Sequence, residues 1–243
     1  METYAELRPR AKPPVAMPEP TPNPELLRSL GRLVRGLSAL FWGLPVALIV
    51  CVETAKMDMF RLFGVLPPVL VTAWLAYGLW QLGYFQKQER IWVHALDKAK
   101  WLALVNLGLS PFIYFWSRIP DQRLYIDMVL LLAASGLVFL AMLNMVLYRL
   151  TAMLPDEGLR QETRYFTGIN RYLVFGILLL GVIFYVMLHF PELLRSTGAF
   201  MLVISPASPW LLIFLVLLPL AMTMALIWKI KEVILDSVFG SGR

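Results

Sequence analysis

Apolar residues gather along this chain into long blocks separated by short polar stretches, and the lengths of those blocks decide the fold class. Residues 209–228 are twenty consecutive positions without an ionisable side chain, and 173–188 are sixteen more. A helix rises about 1.5 Å per residue and the hydrocarbon core of a bilayer is about 30 Å thick, so the first block is long enough to cross it. Comparable blocks recur upstream. The pattern predicts an all-α, polytopic membrane protein with six transmembrane helices, over about residues 37–53, 63–85, 101–117, 125–147, 172–190 and 209–228. Tryptophans mark the ends of two of them: Trp101 and Trp116 bracket the third, Trp210 and Trp228 the sixth. Amphipathic rings collect at membrane interfaces in this way.

Outside the spans the pattern changes character. Leu26, Leu30, Leu33 and Leu37 recur every three or four residues while Arg28, Arg32 and Arg35 recur on another face, which predicts a basic amphipathic helix over 25–36 lying among lipid headgroups. Two further short interfacial helices are expected to feed spans, one within 87–100 and one beginning at Pro155, Asp156 and Glu157 and running toward Arg171. Residues 1–24 hold seven of the seventeen prolines and almost no large aliphatics, so they are expected to form a disordered, proline-rich tail. The chain thus divides into a tail (1–24), a basic helix (25–36) and a six-helix transmembrane domain (37–243). Between the last two spans, the apolar stretch 199–204 is too short to cross and ends in the turn-prone Ser205-Pro206, so it is expected in the outer interface or against the bundle.

Composition agrees, since 59% of the residues are hydrophobic, above the usual globular share of roughly 45–50% on a broader apolar count. The net charge of +6 would suggest nucleic acid if the cations formed a patch on a soluble domain. They lie in the loops instead, so no nucleic-acid partner is expected. Seventeen Lys and Arg fall in the two tails and the second and fourth loops, against five in the other three loops, and the alternation has no exception. The positive-inside rule then puts both termini in the cytoplasm, beneath a plasma or bacterial inner membrane. The first apolar run begins only after Arg35 and no small-x-small cleavage site follows, so the first span is expected to be retained. The lone Cys51 has no internal disulfide partner and reads as a small packed apolar residue.

Candidate chemistry is sparse. Glu53 and Asp127 fall near the outer ends of spans; Glu53 has Lys56 three residues away, and Asp127 suits the first turn of a helix. Asn106, Ser110, Ser135 and Asn144 are the polar residues inside spans that matter most, with Thr72 and Thr223 beside them. An amide or hydroxyl in hydrocarbon needs a partner, so the four are candidates either for contacts between helices or for the lining of a solute pathway. Small residues at Gly108, Ser110, Ala133, Ala134, Ser135 and Gly136 are expected to let spans 3 and 4 approach closely. Among the intramembrane prolines, Ser110-Pro111 is the best candidate for a functional break, because the hydroxyl can help satisfy the freed backbone, but a simple kink is the expectation. Only two histidines occur, His94 and His189, on opposite sides of the predicted membrane, and no metal, phosphate-loop, dinucleotide or nucleophile-elbow motif is found. No cofactor is expected. These features favour a non-catalytic subunit or scaffold of a larger membrane complex, with membrane lipid as surroundings and a protein partner engaged through the cytoplasmic tail and loops. A small-solute transporter or channel is the second expectation and a lipid-acting enzyme, built on Glu89, His94, Asp97 and Glu162, the third.

The topology is directly testable. In a Cys51→Ala background, Gln88→Cys and Ser196→Cys should react with a membrane-impermeant thiol reagent from opposite sides; labelling of both from one side would rule out six crossings.

Overall fold

A computed structural model describes residues 24–56, 62–86, 88–154, 156–189 and 208–239. The tail up to residue 23, the outer segment 190–207 with its 199–204 stretch, and the loop cations Arg61, Lys87, Arg195 and Arg243 lie outside the described residues. Every element among the described residues is helical: α1 (Pro24–Lys56), α2 (Leu66–Leu82), α3 (Arg90–Leu109), α4 (Pro111–Arg118), α5 (Arg123–Ala152), α6 (Glu157–His189) and α7 (Ser208–Phe239). Four contain stretches long and apolar enough to cross a membrane: Arg28–Lys56, Arg123–Ala152, Glu157–Ile183 and Phe214–Asp236. The 17-residue α2 falls short of the roughly 20 residues a straight span needs. The stretch 90–118 is divided between α3 and α4.

The basic segments and the apolar spans are continuous. The stretches 25–36 and 37–53 are both part of α1, and 157–171 and 172–189 are both part of α6, each helix 33 residues and about 50 Å long. Nothing in the sequence at 36–37 or 171–172 stops a helix: neither junction has a proline, and Gly36 sits inside α1 without ending it. The turn between α5 and α6 is held from both sides. Asp156 Oδ1 accepts the Leu159 amide at 3.1 Å, capping α6, and the Arg160 guanidinium donates to the carbonyls of Ala152 and Leu154 at the end of α5.

At Ser110 the α3 path breaks for a definable reason. Pro111 has no amide hydrogen, which leaves the carbonyl of Leu107 without its helical donor. The Ser110 hydroxyl donates to that carbonyl at 2.9 Å, and the Ser110 amide still reaches Asn106 O at 2.9 Å, so α4 continues from α3 with the lost bond replaced.

Buried side chains concentrate at the end of the bundle that carries the basic loops. In α5, α6 and α7 the buried positions among the described residues fall within 139–151, 159–177 and 219–234, all toward that end. Trp92, Leu96, Leu147, Leu150, Ile227 and Ile230 are almost completely enclosed there. Toward the other end, Leu124, Leu131, Leu179 and Val182 stand exposed.

Two glycines let the backbones of α1 and α2 approach closely. A Cβ added at Gly36 would stand 2.8 Å from the backbone oxygen of Gly78, and one at Gly78 would stand 3.0 Å from Leu40 Cγ. Gly108 and Gly136, by contrast, have nothing within 4 Å of the added atom, so the tight contact expected between spans 3 and 4 does not use their missing side chains. Gly36→Val therefore forces two backbones apart and should cost about 1–3 kcal/mol, read as a lower thermal midpoint in detergent. Gly108→Ala adds helix propensity without a clash and should be neutral or raise stability by up to about 1 kcal/mol.

Candidate functional site

The polar side chains inside the apolar helices form two separate groups. In the first, the Ser135 hydroxyl of α5 donates to Asn106 Oδ1 of α3 at 2.5 Å, with its own Leu132 carbonyl farther off at 3.0 Å. A serine has one proton to give, and the shorter contact claims it. Ser110 lies one helical turn beyond Asn106, and its oxygen is 3.3 Å from Thr72 Oγ1 of α2. That contact is the weakest of the set, because the Thr72 proton has a better acceptor in Pro68 O at 2.8 Å. The group thus ties α3 to α5 firmly and α2 to α3 loosely.

The second group centres on Thr223 of α7. Its hydroxyl donates to Pro219 O at 2.7 Å and accepts from two amides, Asn144 Nδ2 of α5 at 2.9 Å and Asn170 Nδ2 of α6 at 3.2 Å. A hydroxyl has one donor and two acceptor sites, so Thr223 is saturated. Each amide places its second hydrogen on a carbonyl, Asn144 on Leu140 and Asn170 on Pro219. Asn144, Asn170 and Thr223 are all at most 2% exposed, and each N–H and O–H of the three has an acceptor, which offsets the cost of burying them. Asn170 Oδ1 and Thr167 Oγ1 are buried without a hydrogen-bond partner.

The structure therefore brings Asn106 to Ser135 and puts Ser110 within reach of Thr72. It gives Asn144 a different neighbourhood, nine residues along α5 from Ser135 or about 14 Å. A trough of about 520 Å3 between α1 and α7, lined by Phe41, Ala221, Met224, Ala225, Trp228, Lys229 and Glu232, reaches neither group.

The titratable residues at the basic end are exposed and separately engaged. Asp97 pairs with Lys100 at 3.4 Å and Glu162 pairs with Lys229 across the α6/α7 interface, while Glu89 and His94 are exposed on and just before α3. Glu53 and Lys56 form no ion pair with each other. Among the described residues no three His, Cys, Asp or Glu side chains come together as a metal site.

Asn170 is the member of the second group that sequence reasoning missed. It sits between Ile169 and Arg171, in a stretch whose arginines mark it as loop, and only the register of α6 against α7 shows that it faces Pro219 and Thr223. An asparagine on the face of α6 that also carries Thr163, Val174 and Ile177, all buried, is the signal that was available. No protein-family model, curated protein or solved structure matches the chain.

Thr223→Val keeps the side-chain shape but leaves two buried amides without their shared acceptor, and should cost about 1–3 kcal/mol. Combining it with Asn144→Leu removes one stranded amide, so the double mutant should be less destabilised than the sum of the singles by at least about 0.5 kcal/mol. Thermal unfolding of the four proteins in one detergent measures the cycle; strict additivity would show that this contact contributes nothing.

Proposed function

We propose that this protein is an integral membrane protein with six crossings and cytoplasmic termini, acting as a non-catalytic subunit or scaffold of a larger membrane complex. The observation that carries the functional part is the use made of its intramembrane polar groups. Asn106, Ser135, Asn144, Asn170 and Thr223 are committed to bonds between helices, and the trough between α1 and α7 touches none of them. A solute pathway needs polar groups turned toward a passage, and catalysis needs acids and bases converging on one pocket. Here the polar groups hold helices together, and the acids of the basic end do not converge: Asp97 and Glu162 sit in separate ion pairs, and Glu89 and Glu232 stand exposed apart from them.

The two additional crossings are argued from packing. The charge-free α2 lies along α1 at the Gly36/Gly78 contact and meets α3 where Thr72 approaches Ser110. The stretch 90–118 runs beside α5 from the Asn106–Ser135 bond to the stacked rings of Phe115 and Tyr125, 5.8 Å apart. Both are flanked by apolar helices and so share their surroundings. Together with the alternation of seventeen and five loop cations, this supports six spans rather than four. The tail and the basic loops are then the surfaces a cytoplasmic partner would meet.

The test separates a structural from a transport role. Asn106→Leu and Asn144→Leu each remove a hydrogen bond worth roughly 0.6–2 kcal/mol, so each variant should remain folded, with a modestly lowered thermal midpoint. Each should also support growth of a strain lacking the gene. A variant that is folded and inserted yet wholly inactive would replace the subunit reading with transport.

A further inference from the structure

The trough between α1 and α7 has the composition of a site for an amphiphile. Ala221 and Ala225, one turn apart, form its floor; Phe41, Met224 and Trp228 wall it; Lys229 and Glu232 occupy its C-terminal end. Its volume of about 520 Å3 falls within the roughly 300–1,000 Å3 that bind small molecules. The Phe41 and Trp228 rings lie 5.8 Å apart, so they make one continuous apolar wall across the two helices. The apolar part falls within the 209–228 block and the charged part begins with the next residue, so the polarity changes along the trough as it does between an acyl chain and its headgroup.

The charges at that end narrow the choice. Lys229 gives one N–H to Glu162 and has others to give, while its side chain remains 47% exposed. Glu232 stands three residues on, on the same face, exposed and without an ion-pair partner among the described residues. Lys231 is turned to the Trp228 ring, 5.9 Å from its centroid. The end of the trough therefore offers one cation for a phosphate and one free carboxylate beside it. A purely anionic headgroup would meet repulsion from Glu232, and a choline headgroup has no N–H to give it. A phosphate followed by a primary ammonium matches both.

We propose that the trough binds a phospholipid of the cytoplasmic leaflet with a primary-ammonium headgroup, phosphatidylethanolamine in chemical terms. Its phosphate meets Lys229, its ammonium meets Glu232, and one acyl chain lies along Ala225 and Ala221 against the wall that Phe41 and Trp228 make. The inference rests on the membrane reading above, with the basic end in the cytoplasmic leaflet.

The full-length protein is reconstituted in phosphatidylcholine bilayers containing, as a minor component, phosphatidylethanolamine, phosphatidylcholine or phosphatidylglycerol with brominated acyl chains, which quench nearby indoles. There are eight tryptophans, so the signal of Trp228 is taken as the difference between the protein and Trp228→Phe. That component should be quenched about threefold more effectively by the ethanolamine lipid than by the choline lipid, the size expected of one partly exposed ion pair. Glu232→Gln keeps the side-chain shape and should abolish the preference; Ala225→Leu fills the floor and should weaken quenching by both lipids. Equal quenching by the ethanolamine and choline lipids, or a preference for the glycerol lipid, overturns the proposal. So does a Trp228 shielded from every brominated lipid while other tryptophans are quenched, which would assign the trough to a protein occupant. If no tryptophan is quenched by any of them, the membrane reading itself fails, and this inference with it.

Discussion

The Thr223 hydroxyl, holding amides from α5 and α6 while donating to its own helix at Pro219, is the contact on which the arrangement of the last three helices depends. Among apolar helices in hydrocarbon, a leucine gains little by touching another leucine instead of a lipid tail, so apolar contact alone does not choose a neighbour or a register. Groups that lipid cannot satisfy make that choice. Asn144 and Asn170 find the same oxygen, and the match fixes both the rotation and the height of their helices. Asn106 and Ser135 do the same for α3 and α5. Because α5 contributes to both groups, it is the helix through which the two halves of the chain are registered. For α1 and α2 the choice is made by shape, since only glycine at 36 and 78 permits that approach.

A second means of cohesion operates at the basic end. Trp92, Leu96, Leu150, Leu159, Ile230 and Ile234 are enclosed there among helix segments that also carry Lys98, Arg149, Arg160 and Lys229. Where such segments stand in water the hydrophobic effect acts at full strength, and a conventional core can form. The Glu162–Lys229 pair and the two caps at the α5/α6 turn sit at the margin of this core. On the membrane reading, then, the bundle is held by water-driven burial toward one end and by specific polar bonds farther along.

Much of this was legible in the residues. An asparagine in an apolar helix announces that it needs a partner, and the Ser110-Pro111 pair announces both a lost amide and its replacement. The identity of the partners was not legible, because a hydrogen bond between α5 and α7 joins residues 79 apart in sequence and no local pattern specifies it. Asn170 was hidden by Arg164 and Arg171, whose charges suggest an aqueous segment although both side chains, seven residues apart, leave one side of a continuous helix, about 100° round from Asn170. Gly36 and Gly78 were hidden for a different reason. A single glycine in each helix carries no spacing, so its face is known only once the helices are packed. At Gly108 and Gly136 the same lack of information led the other way, to a close approach that the glycines do not make.

The bonding of α6 to α7 gives that long rod two points of attachment, the Glu162–Lys229 pair and the Asn170–Thr223 bond, eight residues apart and so about 12 Å along the axis. Beyond Asn170 the described side chains of α6 from 178 onward are largely exposed. Asn170 divides the helix roughly in the ratio two to three. The longer arm is itself held over its first two turns by the buried Val174 and Ile177, so only about the last dozen residues of α6 project as a free tip. A displacement of its capped base, where Asp156 and Arg160 hold the turn, therefore reaches that tip only if the whole rod tilts against the Glu162–Lys229 pair and the Asn170–Thr223 bond.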